Sequence, residues 1–118
     1  RLASELGANL ILVSRSLDKL EAVRLAMPHP EKARSVAVDY LNKEMLGEAF
    51  ADVERVHHVI IPAVADENKK RGAFAKLGGD TMRASFDKFW GQTFVVQTLA
   101  DRMVPGGSVS LFASVAGL

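Results

Sequence analysis

The sequence predicts a parallel α/β fold, in which helices and strands alternate along the chain. Three observations predict this class: short apolar runs that suit buried strands, helical segments between them, and glycine or proline where elements end. The chain has 118 residues, the usual size of one domain, so we expect residues 1–118 to be one domain or part of one.

Each element follows from a local pattern in the sequence. Residues 1–7 are typical of the end of a helix closed by Gly7, and Ser16 can cap a helix over 18–25 that presents Leu17, Leu20 and Val23 on one side. The predicted strands are 9–14, 33–39, 56–61 and one that begins at Ser108, and the other predicted helices are 42–50 and 85–103. Residues 66–80 are predicted to be a surface loop with one helical turn. Helix 85–103 is apolar on two sides, so we expect it to be buried on both.

The two ends of the chain predict an internal fragment. Residue 1 is an arginine that lies in a helix, and the last residues are typical of a strand followed by the start of a loop. A natural domain rarely begins inside a helix and stops just after a strand.

Composition excludes several classes of protein. Fifteen Lys and Arg against fourteen Asp and Glu leave a formal net charge of +1, so no general field attracts nucleic acid or an anionic membrane. The absence of cysteine excludes disulfides, thiolate metal sites and a cysteine nucleophile. No apolar run approaches the roughly 20 residues of a membrane span. We expect by default a cytoplasmic protein whose partner is a small molecule.

In parallel α/β sheets, ligands bind outside the carboxyl ends of the strands. Arg15 follows the first predicted strand between Ser14 and Ser16, where a guanidinium and two hydroxyls suit a phosphate monoester. The alternative is a solvated arginine at the start of a loop. Asp39 ends the next strand, where it either accepts a hydrogen bond from an adenine amino group or caps the following helix. Tyr40, next to it, has no lysine at a useful helical spacing and is expected at the edge of a pocket or on the surface.

The remaining candidates are each weak on their own. Ser114 follows the last strand, where its hydroxyl either bonds a substrate carbonyl or satisfies a backbone group in a turn. Lys88 lies among aromatic residues of the long helix, where it either extends to water or has a specific role. His57 and His58 are neighbours in a strand, so their side chains point to opposite faces, and we predict no metal site.

The order of these pieces resembles that of the short-chain dehydrogenase/reductase family over essentially the whole chain. Residues 2–16 resemble the family's first helix, second strand and cofactor-selecting loop, and Val38-Asp39 resembles its adenine-side aspartate. The most specific portions are FDKFWGQ at 86–92 and PGGSVSLFAS at 105–114. They resemble a divergent branch in which Lys88 replaces the usual helix asparagine and Ser114 stands at the catalytic serine position.

The resemblance implies a doubly wound, Rossmann-like parallel sheet with flanking helices and without its first strand. It also implies an NAD(P)-dependent oxidoreductase that moves a hydride to or from a small carbonyl or alcohol. NADP is the preferred cofactor and NAD the alternative. Ser14, Arg15 and Ser16 would hold the ribose phosphate, Asp39 and Tyr40 would lie at the adenine, and Ala63 and Val64 along the nicotinamide ribose. Ser114 and Lys88 would face the reaction, and the whole protein is expected to be a homo-oligomer.

Three departures from the family pattern leave an alternative open. The glycine-rich turn and first strand would precede Arg1, the family's Tyr-x-x-x-Lys pair would follow Leu118, and Val64 stands where a glycine is usual. The alternative is a non-catalytic nucleotide-binding module, and these 118 residues alone are expected to be inactive. Without the central strand, two strand pairs would face a gap, so we expect the isolated polypeptide to be unstable or prone to aggregation.

Overall fold

A computed structural model describes residues 1–62, 73–84 and 86–112. The predicted α/β class with parallel strands is confirmed, because helices alternate with strands that pair in parallel as β1 with β2 and β3 with β4. The chain divides into two compact units, Arg1–Ala49 and Phe50–Leu118. None of the helices in the described ranges combines the length and the apolar character that a membrane span requires.

The first unit holds one parallel strand pair and three helices. Its elements are α1 (Leu2–Glu5), β1 (Leu10–Ser14), α2 (Leu17–Leu25), a 3-10 turn (Pro30–Lys32), β2 (Ala33–Ala37) and α3 (Lys43–Ala49). The strands pair in register from Leu10 with Ala33 to Ser14 with Ala37. α3 packs inward through Leu46, which is fully buried.

The predicted glycine cap after α1 is confirmed. Gly7 has a φ of +78°, a conformation that costs a residue with a side chain and suits glycine. The amide of Gly7 bonds to the carbonyl of Ser4 at 2.9 Å, and that of Ala8 to the carbonyl of Ala3 at 3.0 Å. This is the Schellman pattern, which satisfies carbonyls that the end of a helix leaves without partners.

A charged pair fixes the path of the chain from α2 into β2. The Arg24 guanidinium contacts the Glu21 carboxylate at 2.8 Å and donates to the carbonyl of Pro30 at 3.0 Å. The Arg24 guanidinium lowers the pKa of Glu21 below its ordinary value. One arginine therefore joins the end of the helix to the turn that precedes the next strand.

The predicted apolar side of α2 is only partly correct. Leu20 is buried, whereas Leu17 and Val23 are exposed. Ile11 and Val13 of β1 are also partly exposed, although their continuous apolar run predicts a strand covered on both faces. A sheet of two strands gives α2 a narrow surface to cover, so one leucine occupies it.

The second unit contains the other parallel strand pair. Its described elements are β3 (Val56–Ile61), a 3-10 turn (Phe74–Lys76), α4 (Gly79–Ala84), α5 (Asp87–Leu99), a second 3-10 turn (Ala100–Arg102) and β4 (Met103–Leu111). Of the surface loop predicted over 66–80, residues 66–72 lie outside the described residues, and a helical turn is present at Phe74–Lys76. The sequence pattern did not predict α4, which begins with Gly79 and Asp80, the last two residues of the predicted loop.

The predicted helix over 85–103 and the predicted strand start at Ser108 are wrong at their junction. α5 ends at Leu99, and Met103 already belongs to β4, where it pairs with Val56. Pairing then shifts, so that His58 meets Ser108, and the extra residues of β4 form an irregularity. Gly107 makes this shift feasible, because a Cβ at that position would lie 2.6 Å from the carbonyl oxygen of His57.

The expectation that the long helix is buried on two sides is also wrong. α5 buries one row of residues, Gly91, Val95 and Leu99, which recur every fourth position. Phe86, Phe89 and Trp90 remain 62%, 58% and 49% exposed. The helix lies on a sheet of two strands, which covers the row at 91, 95 and 99 and leaves the aromatic side uncovered.

Candidate functional site

The carboxyl ends of β1 and β2 lie at the same edge of the first unit. Ser14 and Ala37 are partners at the end of the parallel pair, and the amide of Val38 donates to the carbonyl of Ser14 at 2.9 Å. The two turns that the sequence singles out, one at Arg15 and one at Asp39, therefore leave the sheet side by side. This is the edge at which parallel α/β sheets bind ligands.

The first turn presents hydrogen-bond donors. Ser14 closes β1, and the Ser14 and Arg15 side chains are both exposed. Ser16 is the residue before α2, as predicted, but its side chain makes no capping hydrogen bond to the helix. One guanidinium and two hydroxyls thus follow one another in the sequence at the start of a helix, and these are types of donor that suit an anion.

The second turn corrects one prediction about Asp39. Its carboxylate does not cap α3; instead Oδ1 accepts a hydrogen bond from the amide of Leu41 at 3.0 Å. The cap is Asn42, whose side-chain oxygen accepts from the amide of Met45 at 3.0 Å. An Asp side chain readily bonds to an amide two residues on, so Asp39 shapes the turn and Asn42 begins the helix. Tyr40 is half-buried in the same turn.

The strand ends of the second unit also share an edge. β3 and β4 are paired as far as Ile61 with Leu111, so the chain leaves both strands at the same level. The predicted site residues Ala63, Val64 and Ser114 follow these ends in the sequence and lie outside the described residues. Lys88 is in the first turn of α5 and is half-buried.

The histidines of β3 have partners within the sheet. His58 Nδ1 lies 2.9 Å from the hydroxyl oxygen of Ser108, its neighbour on β4. The carbonyl of His57 is the group that Gly107 approaches. Both contacts favour a structural role for this pair.

Gln92 is a residue to which the sequence pattern assigned no role. Its carboxamide nitrogen donates to the carbonyl of Phe112, the residue after β4, at 3.3 Å. An apolar groove of about 370 Å³ lies beside this contact, lined by Phe89, Gln92, Val96 and Leu111 among others. The available signal was a lone amide side chain at the end of the motif at 86–92.

Comparisons with known proteins address the fold. No family model and no curated protein sequence matches the chain. A short-chain dehydrogenase/reductase of the glucose/ribitol dehydrogenase type from Brucella melitensis superposes with a TM-score of 0.77 at 14% identity, over 92% of this chain and 47% of that one.

Two further solved structures give the same result. A short-chain dehydrogenase from Streptomyces avermitilis matches with a TM-score of 0.70 at 22% identity, over 84% of this chain and 36% of its own. A small-chain dehydrogenase in complex with NADPH matches with a TM-score of 0.57 at 18% identity, over 86% of this chain and 49% of its own. The chain thus spans half or less of the length of these three proteins.

At these identities the likeness is one of fold. The alternation of helices with parallel strands, the pairing of β1 with β2 and of β3 with β4, and the matched structures all agree. The chain has the fold of part of a short-chain dehydrogenase/reductase.

Proposed function

We propose that the chain is part of an NAD(P)-dependent oxidoreductase that prefers NADP and moves a hydride to or from a small carbonyl or alcohol. The observation that supports this most directly is the shared sheet edge at which the turns of Arg15 and Asp39 meet, joined by the bond from Val38 to Ser14. A related fold in complex with NADPH adds support for a dinucleotide ligand.

The residues of this edge fit the adenosine end of NADP. The Arg15 guanidinium would pair with the ribose phosphate, with the hydroxyls of Ser14 and Ser16 as further donors. Asp39 would accept a hydrogen bond from the adenine amino group, since a carboxylate accepts several hydrogen bonds at once. Tyr40 would lie at the edge of the adenine pocket.

At the other end of the cofactor, Ala63 and Val64 would lie along the nicotinamide ribose. Ser114 would orient the substrate oxygen through its hydroxyl, and Lys88 would place a positive charge near it. The bound cofactor supplies the hydride chemistry. We propose that a general acid/base and a glycine-rich turn from chain outside residues 1–118 complete the site. We also propose that the whole protein is a cytoplasmic homo-oligomer.

The test is cofactor binding by the whole protein with Arg15→Ala. Loss of a charge-assisted contact to the phosphate should raise the Kd for NADPH by about 10- to 100-fold and leave the Kd for NADH within about twofold. Arg34→Ala is the matched control, because it removes an exposed guanidinium from β2 in the same unit. Equal losses for both cofactors would remove the phosphate role from Arg15.

A non-catalytic NAD(P)-binding module is the second candidate. It is favoured by Val64, which adds a side chain where the family usually has glycine. The two candidates differ in one measurement, the oxidation of bound NADPH when a panel of small aldehydes and ketones is added. Binding without oxidation, together with a downstream sequence that lacks Tyr-x-x-x-Lys, would favour the module.

A further inference from the structure

We propose that Asp39 selects the base of the dinucleotide, binding a purine that carries a 6-amino group and rejecting one that carries a 6-oxo group. The inference rests on the proposed function, because it assigns a specificity to the adenine end of that site. The observation that supports it is the hydrogen bond from the amide of Leu41 to Oδ1 of Asp39, at 3.0 Å. This bond determines which carboxylate oxygen is left for a ligand.

The turn holds Asp39 at two points. Its side chain accepts from the amide of Leu41, and its carbonyl accepts from the amide of Asn42 at 2.9 Å. Asn42 precedes α3, whose Leu46 is fully buried. On the strand side, Asp39 follows Val38, whose amide bonds to the end of β1. Asp39 is therefore held at the sheet edge before a ligand binds, and a side chain oriented in advance loses little entropy on binding.

The second carboxylate oxygen of Asp39 is the one that faces a choice of ligand. Asp39 is half-buried, and within residues 1–62, 73–84 and 86–112 its Oδ2 has no hydrogen-bond partner. A carboxylate oxygen accepts hydrogen bonds and cannot donate one. The 6-amino group of adenine is a donor and pairs with it, whereas the 6-oxo group of hypoxanthine is a second acceptor. Binding of the 6-oxo base thus leaves a partly desolvated acceptor without a partner, which costs affinity.

Asp39→Asn should reverse this preference. Asparagine has one oxygen and one NH2 group where aspartate has two oxygens. The amide of Leu41 is a donor, so it can bond only to the oxygen, and the turn then directs the NH2 group to the position of Oδ2. Because asparagine forms the same kind of turn as aspartate, the local structure is kept while an acceptor is exchanged for a donor.

The test compares the Kd of the whole protein for NADPH with that for the NADPH analogue in which hypoxanthine replaces adenine, by isothermal titration calorimetry. The wild type should bind NADPH at least about 10-fold more tightly, the ratio expected for one hydrogen bond to a charged group. Asp39→Asn should bind the analogue at least about threefold more tightly than NADPH, and Asp39→Ala should bind the two within about twofold. The ratio of the two Kd values cancels the loss of a negative charge, which affects both cofactors alike.

Glu48→Gln is the matched control, because it exchanges a carboxylate for an amide at an exposed position of α3. It should keep the wild-type ratio of Kd values. The turn itself is monitored without cofactor by the exchange rate of the Leu41 amide. That rate should stay within about twofold of wild type in Asp39→Asn and rise several-fold in Asp39→Ala.

The outcomes separate this inference from the proposed function. A wild-type protein that binds NADPH no more tightly than the analogue overturns the selection by Asp39 and leaves the function standing, and this result needs no variant. A wild-type preference that persists in Asp39→Ala, or in an Asp39→Asn variant that keeps the turn, also overturns it. So does a Glu48→Gln variant whose ratio changes as much as that of Asp39→Asn. A wild-type protein that binds neither cofactor overturns the function, and the inference falls with it.

Discussion

Asn42 and Ser16 occupy the same position, just before a helix, but they act differently. The Asn42 side chain bonds to the amide of Met45, whereas the Ser16 side chain makes no such bond to α2. A capping side chain satisfies an amide that the first turn of a helix leaves without a partner. The Ser16 hydroxyl thus does not cap α2, whereas the Asn42 side chain caps α3.

Asn42→Ala should destabilise the protein by about 1 kcal/mol, the usual cost of losing a helix cap. Ser16→Ala, measured without cofactor, should lower the free energy of unfolding by no more than a few tenths of that amount. Urea denaturation followed by circular dichroism gives both values. A Ser16→Ala loss as large as that of Asn42→Ala would show that the serine caps its helix in solution.

Glu21 makes a contribution to stability that depends on pH. Because Arg24 lowers the pKa of Glu21 in the folded state, the ionised form is favoured by folding. That contribution is present above the unfolded pKa of about 4.3 and is lost as the pH falls through the lower, folded pKa.

Glu21→Gln should therefore reduce stability at pH 7 and flatten its decline in acid. The measurement is the urea midpoint at pH 7 and at a pH near 3.5. Glu48→Gln, on an exposed residue of α3, serves as the control. An acid decline in Glu21→Gln as steep as that of the wild type would show that the pair with Arg24 does not form in solution.

Gly107 is required by a close approach of two backbones. A Cβ would lie 2.6 Å from the carbonyl oxygen of His57, which is backbone and cannot turn aside. Gly107→Ala should therefore cost about 1–3 kcal/mol, the range for overpacking. At Gly78 a Cβ meets nothing within 4 Å, so Gly78→Ala should be nearly neutral in the same denaturation experiment. Equal stabilities of the two variants would contradict the observed register of β4.

At the level of elements, the strand β3 and the helices α2 and α3 could be predicted nearly to the residue. Their apolar spacing and their punctuation by Ser16 and Pro62 are local signals that the sequence carries directly. The end of α5 could not be predicted, because Met103 continues the helical apolar pattern and only its pairing with Val56 places it in a strand. The contact of Gln92 with Phe112 is likewise non-local, since it joins residues that are 20 positions apart.

The exposed aromatic side of α5 is the element that we expect to form a subunit interface. The rings of Phe89 and Trp90 pack edge to face with their centroids 5.3 Å apart, and Trp90 stacks on Phe94 with a centroid distance of 6.1 Å. Clusters of exposed aromatic residues are typical of protein interfaces, where they contribute much of the binding energy.

Phe89→Glu in the whole protein should convert the proposed oligomer to a smaller species, measured by sedimentation velocity. A charge buried in an apolar interface is costly, so dissociation should be at least about 10-fold easier. Met82→Glu, on the exposed side of α4, should leave the sedimentation coefficient unchanged. A Phe89→Glu variant that sediments as the wild type would place the interface elsewhere.

For the molecule as a whole, the two small sheets are the least stable parts. Within residues 1–62, 73–84 and 86–112 each unit has two paired strands, and isolated two-stranded sheets are at best marginally stable in water. Ile60, Leu111 and Phe112 are exposed on the second unit, and they add apolar surface to the open strand edges.

The polypeptide 1–118 expressed alone should thus aggregate or show weak amide protection. Hydrogen exchange of its soluble monomer should be within about 100-fold of the unprotected rate across both strand pairs. The same strands in the whole protein provide the comparison. Strong amide protection throughout the isolated monomer would contradict this prediction, because it would mean that the two-stranded sheets are stable on their own.

The shift of register at the start of β4 also constrains how this segment can change in length. Five steps along β4, from Met103 to Ser108, span the same stretch as two steps along β3, from Val56 to His58. An odd number of steps thus lies opposite an even number, and the irregularity absorbs the difference. Deleting a single glycine there would exchange the places of Val109 and Ser110 on the two faces of the strand. In related sequences, insertions or deletions at Gly106-Gly107 should therefore comprise two residues at a time.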